Sequence, residues 1–333
     1  MKCRLFLVAL CSLMSLLVAP KLIASTEIVS TEEVDSQTQE TAISYLNKMK
    51  QAYTQLNYEL VYLNTAQNQI EPKRLIHGVV DGKRIAYFSF LNGAMRETLQ
   101  FDGKISFYQQ GNQAYSFATQ RDQSIFANIA NFDFVKGNKS YEYIVIGKGR
   151  IAGKKAIAIR MVSKDNYRYS YIVWLDLNSY LPLRLDVINK SNLILEQTMV
   201  VSLITSDQIN PWLKQLSTQT KPEVLHLVTA TAKVAQWDVD WLPKGFEIVK
   251  GDQHKLMMHD TDPVSYIMLD DGISLVSIYI SNVKTRLAEQ QRVIKRGGTL
   301  IYTKQQDNVE VNIIGQIPLE TAERIAASIK PVR

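Results

Sequence analysis

The chain has 333 residues, enough for two domains. It carries 38 Lys and Arg against 32 Asp and Glu, four histidines and two cysteines. With 46% hydrophobic residues and a formal charge of +6, it reads as globular rather than disordered, and cysteine scarcity excludes a disulfide-stapled scaffold.

The first 25 residues read as an export signal. Lys2 and Arg4 precede an apolar run from Leu5 to Val18, and small residues near Ala24 and Ser25 offer a cleavage site. At 14 residues the run falls short of the roughly 20 needed to span a bilayer. A lipoprotein reading fits poorly, because Leu10 precedes Cys11 where a small residue is expected. Both cysteines, Cys3 and Cys11, lie in this segment, so the chain beyond it has no thiol for catalysis or metal binding. Lys2, Arg4 and Lys21 lie there too, which leaves 35 basic and 32 acidic residues beyond it, or +3. Beyond this segment no stretch approaches a membrane span, so a soluble exported chain is expected.

Residues 26–40 hold five acids and no base, and read as a flexible leader. Ile43, Leu46, Met49 and Tyr53 then recur at helical spacing. From Tyr58 to about Thr205 the period becomes that of strands. Arg84 to Leu91, Arg96 to Phe101, Lys104 to Tyr108 and Gln113 to Ala118 are short runs rich in aromatic and β-branched residues, punctuated by Asn92-Gly93 and Asp102-Gly103. Gln120 to Phe134 interrupts them, with a short helix around Ser124 to Ala130. In the expected strand Tyr167 to Trp174, Tyr167, Tyr169, Tyr171 and Val173 share one face and Arg168, Ser170, Ile172 and Trp174 the other, while Leu181, Leu183, Leu185 and Val187 line one face of the next. Strand following strand argues for one large, curved antiparallel sheet rather than βαβ units.

Residues 206–231 lack a strand period and contain Pro211 and Pro222, so the domain junction is expected there. Residues 232–333 read as a smaller α+β unit. Asp270-Asp271-Gly272 turns between two strands, Thr299 to Thr303 and Val309 to Ile314 suggest a hairpin across Gln306-Asp307-Asn308, and Pro318 opens a closing helix. The larger domain is the cationic one: residues 41–231 hold 22 basic and 14 acidic residues, whereas 232–333 hold 13 of each.

No catalytic constellation emerges, and the chain reads as a binding protein without cofactor or metal. His254 and His259 with Asp260 and Asp262 fit no zinc spacing. Gly147-x-Gly149-x-x-x-Gly153-Lys154 is neither a P-loop nor a dinucleotide fingerprint and suits a hairpin better. Ser281-Asn282-Val283-Lys284 lacks the companion motifs of an acyl enzyme. Two features remain. The first is a basic cluster, Lys136, Lys139, Lys148, Arg150, Lys154, Lys155, Arg160, Lys164 and Arg168, which is either a solvated sheet face or a surface for lipid phosphates or an acidic partner. The second is aromatic residues including Phe88, Phe90, Phe101 and Phe107, either core or the lining of an acyl-chain cavity. Nucleic acid is not expected as a partner.

Several segments carry a family resemblance. Asn57-Tyr58-Glu59-Leu60, the run Arg168 to Asp176 with Leu181-Pro182-Leu183-Arg184, Trp241-Leu242-Pro243-Lys244-Gly245-Phe246, and the ending from Val311 to Ala326 resemble the RseB/MucB regulators of the envelope-stress sigma factor. The resemblance implies an α+β fold: a half-open antiparallel β-barrel covered by helices, like the lipoprotein carriers LolA and LolB, over 41–205, and a smaller α+β domain over 232–333. It implies a partner, the periplasmic region of a membrane anti-sigma factor of RseA/MucA type, shielded from site-1 proteolysis and released when lipopolysaccharide or an acyl-chain ligand binds. Lys148, Arg150, Lys154, Lys155, Phe88, Phe90, Phe101 and Phe107 become lipid-site candidates. Trp241, Leu242, Pro243, Gly245 and Phe246 become partner-site candidates. A periplasmic lipid or lipoprotein carrier is the alternative function, and the oligomeric state, a homodimer included, stays open.

Overall fold

A computed structural model describes residues 31–67, 69–119, 125–225, 237–254 and 264–332. The segment read as an export signal and the His259, Asp260 and Asp262 positions lie outside these residues. The larger domain runs α1 (Thr31–Gln55), β1 (Asn57–Ala66), β2 (Gln69–Val80), β3 (Lys83–Phe90), β4 (Arg96–Phe101), β5 (Lys104–Gln109), β6 (Tyr115–Ala118), α2 (Ile125–Asn131), α3 (Phe134–Gly137), β7 (Tyr141–Ile151), β8 (Lys154–Ser163), β9 (Ser170–Asp176), β10 (Pro182–Ile188), β11 (Ile194–Ser206) and α4 (Pro211–Thr218). The smaller runs β12 (Trp237–Val239), β13 (Glu247–His254), β14 (Val264–Asp270), β15 (Leu275–Arg296), β16 (Thr299–Gly315), α5 (Leu319–Ser328) and β17 (Ile329–Pro331).

All eleven large-domain strands form one antiparallel sheet in the order β6-β5-β4-β3-β2-β1-β11-β10-β9-β8-β7. It stays open because β6 and β7 are its two ends. Two-residue turns with both φ positive join neighbours at Asp81-Gly82, Asp102-Gly103 and Ala152-Gly153. That backbone matches strand twist, and its second position favours glycine, which has no Cβ to clash. The alternation read from sequence holds from Ser170 onward, where Tyr171, Val173, Leu183, Leu185 and Val187 point into the main core, but Tyr167 to Tyr169 lie in a bend before β9 rather than in the strand. On the same face α1 contributes Leu46, Met49 and Tyr53, each fully buried, and α2 contributes Phe126 and Ala130. Burying each large side chain there stabilises by roughly 1.5–3 kcal/mol.

Three expectations need correction. Helix α1 begins at Thr31, so much of the expected leader is helical, in keeping with the favourable field a helix N-terminus offers to acidic sequence. The segment expected to link the domains belongs to the larger one as far as Leu225. Asn210 caps α4 through the amides of Trp212 and Leu213, and Leu213 seals a second cluster with Ile76, Ile85, Tyr87 and Leu99 on the sheet's outer face. The Leu225 amide then bonds the Ser116 carbonyl at 2.8 Å along the β6 edge. Finally, Thr299 to Gly315 is one strand, not a hairpin. The turn is Gly297-Gly298, with Arg296 directly opposite Thr299, while Asp307, at φ 54°, sits where the β15–β16 register shifts. Asp tolerates the left-handed region, so the turn-like composition makes an irregularity within the pair.

In the smaller domain the sheet order is β13-β14-β15-β16, and α5 packs Ala322, Ile325 and Ala326 onto Ile278, Ile280, Leu300 and Ile313. Strands β12 and β17 pair beside it.

Candidate functional site at the domain junction

Arg168 stands in the bend just before β9. A guanidinium there would ordinarily meet water. Instead its side chain is 1% exposed, because the smaller domain covers it. Three acceptors surround it. Asp165 lies 3.2 Å away, Asp271 of the smaller domain 3.1 Å away, and the carbonyl of Lys244, also of the smaller domain, takes a further bond. The rings of Tyr141 and Phe246 lie 5.7 and 5.3 Å from the guanidinium carbon. Arginine suits this position because its planar fork donates in several directions at once.

Asp271 is equally committed. Its Oδ1 accepts from the amides of Ile273 (3.0 Å) and Ser274 (2.7 Å), which shape the β14–β15 turn, and its Oδ2 accepts from Arg168. Burial pushes this carboxyl above the usual carboxylate range, and the Ser274 amide, Arg168 and the Ile273 amide oppose that rise. The turn it shapes acts as a plug. Ile273 is buried within the larger domain's core, Gly272 lies against the Phe132 ring, and Ser274 Oγ sits 3.3 Å from the Tyr171 hydroxyl. Around this centre Tyr169 donates to the Ile317 carbonyl at 3.0 Å, and Thr321 to the Tyr167 carbonyl at 3.0 Å. Arg324 bonds the Tyr167 hydroxyl and stacks over Trp241 at 4.1 Å.

The partner-site candidates therefore lie at this junction. Phe246 is buried beside Arg168, Gly245 at φ +90° approaches Ser140, and the Pro243 carbonyl accepts from the Phe246 amide. Trp241 stacks edge-on against Tyr167 at 4.9 Å, and Leu242 packs on the smaller core. Phe246 and Gly245 face the larger domain, while Trp241 and Leu242 stay half-buried.

The lipid-site candidates divide. Phe88 and Phe90 are in contact at 5.3 Å on the helix-covered face, and Phe107 stacks with Tyr115 at 5.2 Å on that face. Phe101 pairs with Ile85, which places it on the opposite, outer face beneath α4, where Lys221 lies 5.4 Å from its ring. Strand parity decides this: residues an odd number apart on adjacent registers cannot share a face. Lys148, Arg150, Lys154 and Lys155 lie on the β7–β8 hairpin, at the other end of the strand order from the aromatic group, but register puts Lys148, Arg150 and Lys155 on one face and Lys154, opposite Ile151, on the other. Arg150 stands directly opposite Lys155, and among the described residues no carboxylate pairs with any of the four. The wider basic cluster does not form one patch. Arg168 is in the buried junction, Lys136 lies near Asp133, and Lys164 donates to the Asn138 carbonyl.

For the earlier chemical candidates, Gly147 to Gly153 forms the β7–β8 hairpin and Ser281 to Lys284 lies within β15. Among the described residues no group of three or more His, Cys, Asp or Glu could hold a metal, and no helix is long and apolar enough to cross a membrane. Sequence reading missed Asp271 as an interdomain contact because Asp in a turn already has a local explanation.

Comparison with known proteins bears on both domains. The chain is 30% identical over 285 residues to the sigma-E factor regulatory protein RseB of Salmonella typhimurium, covering 86% of this chain and 89% of the relative. It is 25% identical over 296 residues to the sigma factor AlgU regulatory protein MucB of Pseudomonas aeruginosa, covering 87% and 91%. The solved MucA/MucB complex from Pseudomonas aeruginosa superposes with a TM-score of 0.71 at 23% identity, covering 88% of this chain and 99% of that one. The MucB/RseB N-terminal domain model matches residues 41–224 and the MucB/RseB C-terminal domain model residues 231–330, and the chain thus belongs to the MucB/RseB family.

Proposed function

We propose that the chain is a periplasmic regulator that binds the periplasmic region of a membrane anti-sigma factor and shields it from the first protease to cut it. Lipopolysaccharide or a related acylated lipid relieves the shielding. The observation that carries this reading is that the family match runs through both domains in order, and relatives spanning the same length bear the names of sigma-factor regulators. A MucB relative has been solved with MucA, which supports an anti-sigma partner here. A lipid carrier would need only the larger domain, and the roughly hundred further residues docked against it through Arg168 and the Asp271 turn count against that alternative.

Sensing requires differential affinity, since a ligand shifts partner binding only by preferring one state. Relief by a factor of about 100 corresponds to roughly 2.7 kcal/mol of coupling. Half-buried Phe90, Phe107, Tyr115 and Phe117 offer apolar surface on the helix-covered face for acyl chains, and the β7–β8 hairpin offers phosphates a set of cations that, among the described residues, have no carboxylate partner, Arg150 Nε bonding the Gly153 carbonyl. The partner meets the smaller domain near Trp241 and Leu242. A protease-protection assay tests the role: the anti-sigma segment incubated with its site-1 protease should survive longer with the chain present, and lipopolysaccharide should restore cutting. Equal cutting with and without the chain would remove the shielding role.

A further inference from the structure

A cleft of about 500 Å³ lies on the outer side of the junction, between the β8–β10 face and the start of α5. This is within the range of specific ligand sites, roughly 300–1,000 Å³. Arg160, Ser163, Asn166 and Asn192 line one wall, and Lys295, Pro318 and Leu319 the other, with Val162, Tyr169 and Leu195 between them. Both domains build it.

Its charges are unevenly committed. Asp165 is held by Arg168, and Glu320 by Lys190 at 2.5 Å. Arg160 and Lys295 have no carboxylate partner among the described residues. Arg160 donates one Nη to Asn192, whose side chain lies in the β10–β11 turn, while its Nε is buried with no acceptor among the described residues. That Nε lies below the surface, whereas the Nη end, bonded to Asn192, is exposed to the cleft and is the part of the guanidinium a carboxylate could reach. The opposite wall is the first turn of α5, a ten-residue helix whose N-cap, Pro318, makes no side-chain capping bond. The helix dipole there favours an anion.

We infer that this cleft is a binding site for an acidic segment of extended peptide, with Arg160 and Lys295 holding a side-chain carboxylate. The side-chain amides and hydroxyls of Asn166, Asn192 and Ser163 suit peptide backbone, and Leu195 and Leu319 suit an adjacent apolar side chain. The cleft needs both domains in register, which the Arg168–Asp271 pair holds together with the Tyr169–Ile317 and Thr321–Tyr167 bonds. The inference rests on the proposed anti-sigma partner for the identity of the peptide, but not for the site's chemistry.

The test uses the full two-domain chain with fluorescent hexaglutamate as probe, alongside the anti-sigma periplasmic segment. Saturable hexaglutamate binding that Arg160→Glu and Lys295→Glu each weaken roughly tenfold or more is the expected result. Lys295 is exposed, so its variant leaves the fold intact, and an unchanged melting temperature checks this for both. If hexaglutamate binds and the anti-sigma segment does not, the cleft stands and the partner reading falls. If the segment binds equally well to wild type and both variants, the cleft is not its site. Absence of hexaglutamate binding, or displacement of a bound probe by inorganic phosphate alone, would overturn the peptide assignment.

Discussion

Arg168 and Asp271 meet across the domain boundary at 3.1 Å, 103 residues apart in sequence, and neither side chain reaches solvent. Each also holds its own domain in shape, Arg168 through Asp165 and Asp271 through two turn amides. Local geometry on either side is thus tied to domain docking.

Removing Arg168 leaves buried Asp271 with its two turn amides and no counter-charge, whereas removing Asp271 leaves Arg168 still paired with Asp165. Arg168→Ala should therefore destabilise by roughly 3–5 kcal/mol and Asp271→Ala by less. Calorimetry should resolve the undocking as two unfolding transitions where the wild type shows one. A single transition with an unchanged midpoint would show that the pair does not couple the domains.

Gly272 carries φ +93°, and a Cβ there would lie 2.9 Å from the Phe132 ring. Gly272→Val combines backbone strain with overpacking and should cost roughly 2 kcal/mol or more. Small-angle scattering should show a larger radius of gyration if the plug has been expelled.

His77 reports acid stability. It is buried against Tyr58, with Nδ1 2.8 Å from the Leu56 carbonyl and Arg84 Nε donating to Nε2. Burial, opposed by the Leu56 bond and aided by Arg84, lowers its pKa to about 4. The folded pKa lies below the unfolded value of about 6.5, so the contribution is complete above pH ~6.5 and is lost as pH falls toward 4. The loss should approach roughly 3 kcal/mol across that window. In His77→Phe the corresponding slope in urea midpoint against pH should disappear.

Much of this architecture was legible in the sequence. Period-two alternation marked Tyr169 to Val173 and Leu181 to Val187 because one face of each strand is buried. Family resemblance supplied the pairing of domains. The junction was not legible. Arg168 alternates as an outward residue and reads as surface, since only the folded chain shows that a second domain covers that face. Phe101 read like its neighbours until strand register put it under α4. The hairpin was read across Gln306-Asp307-Asn308, whereas the chain turns at Gly297-Gly298, because composition does not separate a turn from a β-bulge.

Reversing the charges at Lys148, Arg150, Lys154 and Lys155 separates guarding an open edge from lipid recognition. Basic residues on an edge strand deter pairing with other chains, and each near an anionic membrane is worth about 1 kcal/mol. Replacing all four with Glu should abolish sedimentation with lipopolysaccharide. Unchanged sedimentation, with new self-association, would assign Lys148 and Arg150, on the edge strand β7, to edge protection.

The central claim is regulation of an anti-sigma factor, and the most direct measurement is a calorimetric titration of residues 26–333 with the periplasmic segment of the host's own anti-sigma protein, with and without lipopolysaccharide. Saturable binding that weakens by about 100-fold with lipopolysaccharide, or roughly 2.7 kcal/mol, is the predicted result. Failure to bind the segment, together with uptake of an acylated peptide, would contradict it and favour a lipid carrier.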